Sequence, residues 1–300
     1  MSSQRKSYKL SDDVFISIQE YGKPSSTRPS LVFLHFWGGS SRSYQLLARE
    51  LGTDLHIIAP DFRGWGESTG PTKPEAYSIP DLACDITSLI PQHVGVSSAG
   101  YILVGHSMGG KVAQYIASHS PAPSGLRGLF LIAPAPMGKL QLPEALKEQQ
   151  KHACDTAQSA QFTFTNFLLS SEDAVSSATL TLLVEDAVKG SDFAKRAWPE
   201  YGSAEDYADS YKEITVPVKI VVGAEDRVET PEKHSILQMK TFSAVATACL
   251  VVVAVASKIT DDPAIATVAS QIITNAPTTP TVTETIFPPS TLSTVSCLIC

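Results

Sequence analysis

A serine between an apolar run and a helical pattern is the first residue in this sequence with the setting of a nucleophile. Residues 105–109 read Gly-His-Ser-Met-Gly and match the pattern G-x-S-x-G around Ser107. In that pattern a sharp strand-to-helix turn strains the serine backbone and holds its hydroxyl clear of the sheet. The motif follows the predicted strand 101–104 and precedes the predicted helix 108–119. We therefore interpret Ser107 as a nucleophile.

Acyl transfer by a serine also needs two N–H donors directed at the oxyanion that develops. The N–H of Met108, at the start of the following helix, is the first candidate. The second is the N–H of Trp37, which follows the predicted strand 31–35 in the segment His-Phe-Trp-Gly-Gly-Ser. The Trp37 side chain could equally serve packing, and the two roles are compatible. We interpret His35 as a residue that supports this loop rather than as a general base.

A carboxylate can orient a histidine and stabilise its cation. The segment Gly223-Ala224-Glu225-Asp226 ends the predicted strand 218–223, and we predict that Asp226 is this acid. Glu225 is the neighbour that could be mistaken for it, and a surface acid pair is the alternative interpretation. Residues 61–68, after another strand, are interpreted as a structural turn with an ion pair between Asp61 and Arg63.

Strand-like and helical segments alternate through the first part of the chain and indicate a mostly parallel α/β sheet with flanking helices. Predicted strands cover residues 14–18, 31–35, 56–61, 101–104, 128–133 and 218–223. Predicted helices cover residues 43–51, 79–89, 108–119 and 231–239. Asp81 lies in the first half of the second helix, where the helix dipole favours an acid.

The composition divides the chain into four parts. Residues 1–136 form the first part of the core, and residues 137–214 are helical and polar, which predicts an inserted helical lid. Residues 215–238 return to the core with the acid loop. Residues 239–300 contain an apolar run followed by a Ser/Thr/Pro-rich tail, for most of which we predict disorder.

Bulk properties narrow the function classes. The net charge of −7 argues against nucleic acid or an anionic membrane as a main partner. The five cysteines show no zinc-binding spacing, and no metal or cofactor is predicted. Reduced thiols and the polar start of the chain, which lacks the apolar part of a secretion signal, favour a cytoplasmic location.

Four segments together resemble the α/β-hydrolase fold-1 family with a helical lid: LHFWGGSS, DFRGWGES, GHSMGGKVA and VVGAEDRV, in this order. The resemblance covers roughly residues 7 to 238. It implies hydrolysis through a Ser–Asp–His triad and an acyl-enzyme, with Ser107 as nucleophile, Asp226 as acid, and Trp37 and Met108 as oxyanion donors. A serine at the elbow, where some relatives carry aspartate, implies ester, lactone, thioester or carbon–carbon bond hydrolysis.

The histidine of that triad is not identified. The family places it after one further strand, whereas the only histidine that follows Asp226 is His234, eight positions on in a predicted helix. Losing a triad member costs on the order of 10⁴–10⁶ in rate. The run 239–256 resembles a secretory signal peptide, and our hypothesis is a truncated hydrolase joined to foreign sequence. A buried element or a membrane segment of marginal length are the alternatives.

The sequence leaves three hypotheses about this protein. The first is a serine hydrolase of small apolar ester or acyl compounds, impaired by the missing histidine. The second is a non-catalytic hydrolase-like protein that binds a small molecule in the same pocket. The third is a product without a stable fold, because the last strand and helix of the sheet are absent. The sequence sets no oligomeric state.

Overall fold

The computed structural model describes residues 3–51, 55–93, 98–140, 142–169, 175–223 and 283–287. These residues contain a single sheet of eight strands, in which the first two strands are antiparallel to their neighbours and the other six run parallel. The strands are β1 (Gln4–Lys9), β2 (Phe15–Tyr21), β3 (Ser30–Leu34), β4 (Ile57–Pro60), β5 (Tyr101–His106), β6 (Leu126–Ile132), β7 (Val218–Gly223) and β8 (Thr283–Phe287). Their order is β1-β2-β4-β3-β5-β6-β7-β8. This topology confirms the predicted α/β class.

The central strands are apolar along their whole length because both faces of the sheet are covered. Every residue of β3 and β4 is buried. Successive residues enter opposite layers: Leu31 and Phe33 belong to one hydrophobic cluster, and Val32 and Leu34 belong to the other. The period of two in a strand thus distributes one continuous apolar run between two cores.

Three helices flank the first half of the sheet: α1 (Gln45–Leu51), α2 (Ile79–His93) and α3 (Met108–Ala117). A 3-10 helix, Ser41–Tyr44, precedes α1. The α-helix therefore begins at Gln45, two residues after the start of the predicted helix 43–51. Helix α1 packs into one core layer, and α2 and α3 pack into the other. Asp81 lies in the first turn of α2, as predicted, and its carboxylate accepts the N–H of Ser78 at 3.0 Å.

Between β6 and β7 the chain is helical. The helices are α4 (Glu144–Lys151), α5 (Ala157–Thr163), a π-helix (Phe164–Leu168), α6 (Ser177–Lys189) and α7 (Asp192–Glu200). The side chains of Thr156, Ser176 and Ser191 cap the starts of α5, α6 and α7 by accepting backbone N–H groups. In the part of the chain that the structure describes, no helix is both long and apolar enough to cross a membrane.

Strand β8 comes from the Ser/Thr/Pro-rich tail. Residues 283–287 lie beside β7 in parallel, with Lys219 opposite Thr283 and Gly223 opposite Phe287. We expected disorder for most of this tail, and these five residues form a strand within it. They also correct the expectation that the sheet has no strand beyond β7. The predicted helix 231–239 and the apolar run 239–256 lie outside the described residues.

We expect β8 to contribute measurably to stability. A chain that ends at residue 282 would leave β7 as an edge with unpaired N–H and C=O groups, whereas a chain that ends at residue 287 keeps the pair. In urea unfolding followed by circular dichroism, the shorter chain should lose about 1–2 kcal/mol relative to the longer one. Equal stability of the two chains would show that β8 is not docked in solution.

Candidate functional site

Ser107 lies at the turn between β5 and α3. Its φ of 51° and ψ of −116° fall in a region that residues other than glycine rarely adopt. The N–H groups of Gly110, Lys111 and Ala135 donate to its carbonyl oxygen at 2.8, 3.1 and 3.0 Å, and its own N–H donates to the oxygen of Ile132 at 3.1 Å. These four hydrogen bonds hold the strained residue at the carboxyl end of the sheet.

Close packing between α3 and β3 explains the glycines around Ser107. A Cβ atom on Gly109 would lie 2.2 Å from the carbonyl oxygen of Leu34 and 2.7 Å from that of His35. A Cβ atom on Gly105 would lie 2.5 Å from the carbonyl oxygen of Gly109. The start of α3 therefore touches the point where the loop after β3 begins, so the structure brings Ser107 and this loop together.

The two predicted oxyanion residues lie on these two elements. Met108 is the first residue of α3, and an N–H at that position has no acceptor within its helix. Trp37 is buried in the loop after β3, where its indole N–H donates to the carbonyl oxygen of Lys195 at 2.9 Å. The Trp37 and Trp65 rings meet edge to face, with centroids 6.3 Å apart. The packing role of Trp37 thus involves its side chain and leaves its backbone N–H to be used separately.

His35 is fully buried and supports the same loop. Its Nδ1 donates to the oxygen of Phe36 at 2.7 Å, and its Nε2 accepts the N–H of Phe62 at 3.0 Å. Burial lowers the pKa of His35 to about 4, so the ring is neutral at pH 7. With both nitrogens in use, His35 is a loop-supporting residue, as expected, and has no free atom for Ser107.

The turn after β4 differs from the expectation. Arg63 does not pair with Asp61. It donates two hydrogen bonds of 2.6 Å to the carboxylate of Asp85 on α2. Asp61 accepts the N–H groups of Ser41 at 2.6 Å and Glu67 at 2.9 Å. Burial raises the pKa of Asp61, and these hydrogen bonds oppose the rise. The predicted Asp61–Arg63 ion pair is wrong because Asp61 holds two loop backbones instead.

Sequence reasoning missed His106, the residue before Ser107. The residue is partly exposed, but its Nδ1 is buried and has no hydrogen-bond partner among the described residues. Its ring packs edge-on against Phe36, with centroids 5.2 Å apart. Burial, with His35 nearby, lowers the pKa of His106 to about 4. The signal in the sequence was a polar ring at the end of an otherwise apolar strand.

Sequence reasoning also missed Lys111, which is fully buried on α3. Its ammonium donates to the carbonyl oxygens of Glu205, Gly138 and Ser203 at 2.6, 3.0 and 3.5 Å. A buried ammonium requires such acceptors, because burial removes its water. All three carbonyls lie between β6 and β7, so Lys111 ties that helical region to the helix that begins beside Ser107.

A small, mostly apolar pocket lies between α2, α7 and the start of α3. It is lined by Trp65, Tyr77, Ile79, Leu82, Met108, Ala194, Ala197, Trp198 and Gly202. Three phenylalanines of the helical region lie outside this pocket. Phe164 is buried with its ring 6.3 Å from that of Phe36, and Phe162 and Phe167 are exposed. Trp198 of α7, by contrast, lines the pocket.

The predicted acid and the histidine that follows it, Asp226 and His234, lie outside the described residues, as does Glu225. Strand β7 ends at Gly223, on the sheet edge where Ser107 lies, because parallel strands end at the same edge. The segment that carries Asp226 therefore starts at this edge. Among the described residues, no histidine is hydrogen-bonded to the Ser107 hydroxyl.

Known proteins share parts of this sequence. A profile of the alpha/beta hydrolase family matches residues 31–271. Monoglyceride lipase of Homo sapiens is 36% identical over 121 residues, which are 38% of this chain and 38% of the lipase. Pimeloyl-[acyl-carrier protein] methyl ester esterase of Pseudoalteromonas atlantica is 32% identical over 108 residues, 36% of this chain and 38% of the esterase. The matches thus span about two fifths of each relative.

Solved structures share the fold over a longer stretch. A bromoperoxidase from Bacillus anthracis superposes with a TM-score of 0.68 at 19% identity, covering 78% of this chain and 87% of the other. The esterase EaEST from Exiguobacterium antarcticum superposes with a TM-score of 0.63 at 23% identity, covering 75% and 83%. With the family profile matching most of the chain and this sheet topology around Ser107, the protein belongs to the alpha/beta hydrolase family.

Proposed function

We propose that this protein is a serine hydrolase of small apolar compounds that contain an ester bond or a related lactone, thioester or carbon–carbon bond. The observation that carries the proposal is the strained backbone of Ser107 between β5 and α3. Relatives whose names describe a lipase and a methyl ester esterase support the ester as the bond that is cleaved.

In the proposed reaction the Ser107 hydroxyl attacks the carbonyl carbon and forms a tetrahedral intermediate. The N–H groups of Trp37 and Met108 bind its oxyanion, and the partial positive charge at the start of α3 adds to this stabilisation. The intermediate collapses to an acyl-enzyme as the alcohol leaves with the proton that Ser107 gave up. Water then hydrolyses the acyl-enzyme and returns the proton to Ser107.

Asp226 is the proposed acid, and its role is to orient an imidazole. His234 is the only histidine after it in the sequence. The described histidines include His35, whose two nitrogens are bound elsewhere. Without an imidazole beside Ser107, we expect turnover to be lower by a factor on the order of 10⁴–10⁶. The proposal is therefore a nucleophilic serine whose attack on the substrate, and hence whose turnover, is slow.

The helical region between β6 and β7 is the proposed lid, spanning residues 137–214 between core segments 1–136 and 215–238. Helix α7 lines the pocket beside Met108, and Lys111 fastens this region to α3. The pocket is lined mainly by apolar side chains. As it stands, this pocket has room for about one water molecule. We therefore propose that helix α7 moves away from the core when the lid and the core together hold an apolar acyl or alkyl group of the substrate.

A fluorophosphonate probe tests the nucleophile, since it phosphonylates reactive serines without needing turnover. We expect the full chain to gain one probe mass, mapped to Ser107, and the Ser107→Ala variant to gain none. Ser118→Ala, which changes a serine at the other end of α3, is the matched control and should still be labelled. Absence of labelling in wild-type protein with a cooperative melting transition would overturn the proposal.

A non-catalytic binding protein is the second candidate function. The observation that favours it is that none of the described histidines bonds the Ser107 hydroxyl, while an apolar pocket lies beside Met108. An unlabelled protein whose melting temperature nevertheless rises with short-chain alkyl methyl esters would support this second function.

A further inference from the structure

The loop that carries Trp37 is fastened to the proposed lid as well as to the core. We define the Trp37 loop as residues 35–42. A Cβ atom on Gly38 would lie 3.6 Å from the sulfur of Cys154 and 3.8 Å from the Cβ of Ala187, so this part of the loop packs directly against the helical region. The Trp37 indole is bound to Lys195 of α7.

Asp186 of α6 makes a charge-assisted connection to the same loop. One carboxylate oxygen accepts the hydroxyl of Ser40 at 2.6 Å. The other accepts two hydrogen bonds from the Arg42 guanidinium, from Nε at 2.8 Å and from Nη2 at 2.5 Å. Asp186 is 1% exposed, so these partners, rather than water, stabilise its carboxylate. Every one of them belongs to the Trp37 loop.

The same guanidinium has a second acidic partner on the same helix. Glu185 lies 3.2 Å from Arg42, but its side chain is 59% exposed. An exposed ion pair contributes little, whereas breaking a buried one leaves a charge without a partner. Asp186 and Glu185 therefore differ in burial but share the helix, the partner and the charge.

The core holds the loop from the other side. The N–H of Ser41 donates to the Asp61 carboxylate at 2.6 Å, and the N–H of Phe62 donates to Nε2 of His35 at 3.0 Å. Trp37 lies between the His35 contacts and the Ser40–Arg42 contacts. Trp37 therefore lies in a segment that the core holds at one end and Asp186 holds at the other.

We propose that Asp186 is a positioning residue, through which the helical region holds the Trp37 loop in the geometry that an oxyanion donor requires. The inference about catalysis rests on the proposed function; the inference about loop geometry does not. A misplaced donor costs reactivity steeply, because the oxyanion is stabilised only over a short range of distances.

The test compares Asp186→Asn with Glu185→Gln in the full chain. Both substitutions remove one carboxylate from α6 beside Arg42, and circular dichroism checks that both variants fold. Amide hydrogen exchange, followed by mass spectrometry of peptides covering residues 36–42, should be about tenfold faster in Asp186→Asn and unchanged in Glu185→Gln. The fluorophosphonate labelling rate at Ser107 should fall about tenfold in Asp186→Asn alone.

Each outcome decides one inference. Unchanged exchange in Asp186→Asn overturns the positioning role, as does faster exchange with an unchanged labelling rate. If the wild type is not labelled, the proposed hydrolase function fails, and hydrogen exchange alone still decides whether Asp186 holds the loop. Should Asp186→Asn not fold, Arg42→Lys serves instead, because it removes the two guanidinium hydrogen bonds to Asp186 and keeps a positive charge at this position.

Discussion

Replacing Gly109 by alanine is expected to destabilise the chain severely. The new Cβ would lie 2.2 Å from the oxygen and 2.6 Å from the carbon of the Leu34 carbonyl, and 2.7 Å from the His35 oxygen. All three are backbone atoms, so no side chain can rotate away. Relief requires α3 to move from β3, in the middle of the sheet, and we expect a loss of more than about 4 kcal/mol.

The measurement is thermal unfolding of Gly109→Ala beside a matched glycine substitution. At Gly138 a Cβ atom would meet nothing closer than 3.6 Å, so Gly138→Ala should change stability by less than about 1 kcal/mol. Both substitutions add one methyl group to a glycine near the site. A cooperative transition of Gly109→Ala within a few degrees of the wild type would show that α3 and β3 are farther apart in solution.

Acidification is expected to destabilise the protein through His35. The folded-state pKa of His35 is about 4, below the ordinary value of 6.5, because burial disfavours the charged ring. Between these two values the unfolded chain binds more protons than the folded chain, so stability falls as pH falls through this window. The shift corresponds to about 3 kcal/mol lost between pH 7 and pH 4, with about 2 kcal/mol lost by pH 5.

A substitution separates this contribution from those of the carboxylates and of His106, whose pKa burial also lowers to about 4. Urea unfolding at pH 7 and pH 5 should show a smaller pH dependence in His35→Gln than in the wild type, by about 2 kcal/mol. The absolute stability of this variant falls as well, but only the difference between the two pH values is compared. His119→Gln, which removes an imidazole at an exposed position, is the control. An identical pH dependence in all three proteins would contradict a buried neutral His35.

Local signals in the sequence were sufficient to predict the parts of the fold that are buried on both faces. Strands β3 and β4 are continuous apolar runs, and the pattern around Ser107 combines a strand, a turn and a helix within a few residues. Strand β1 carries no such signal. Its six residues are polar and mostly exposed at the edge of the sheet, so no alternation marks it.

Contacts between distant residues could not be predicted. Arg42 and Asp186 are 144 positions apart, and Arg63 could have paired with the neighbouring Asp61 as well as with Asp85. Which acid an arginine binds depends on how the helices pack over the sheet, and this packing cannot be inferred from a single sequence. The same holds for Lys111, whose partners are backbone carbonyls that no residue type reveals.

The three tryptophans lie close to the candidate site, so tryptophan fluorescence reports on that region. Trp37, Trp65 and Trp198 are the whole tryptophan complement of the chain, and all three are buried beside the pocket or the Trp37 loop. Intrinsic fluorescence therefore samples the surroundings of the candidate site and little else. A ligand that enters the pocket would change this emission without any added label. During unfolding, a red shift of the emission spectrum would report when the site opens to water, whereas circular dichroism would report when the sheet is lost.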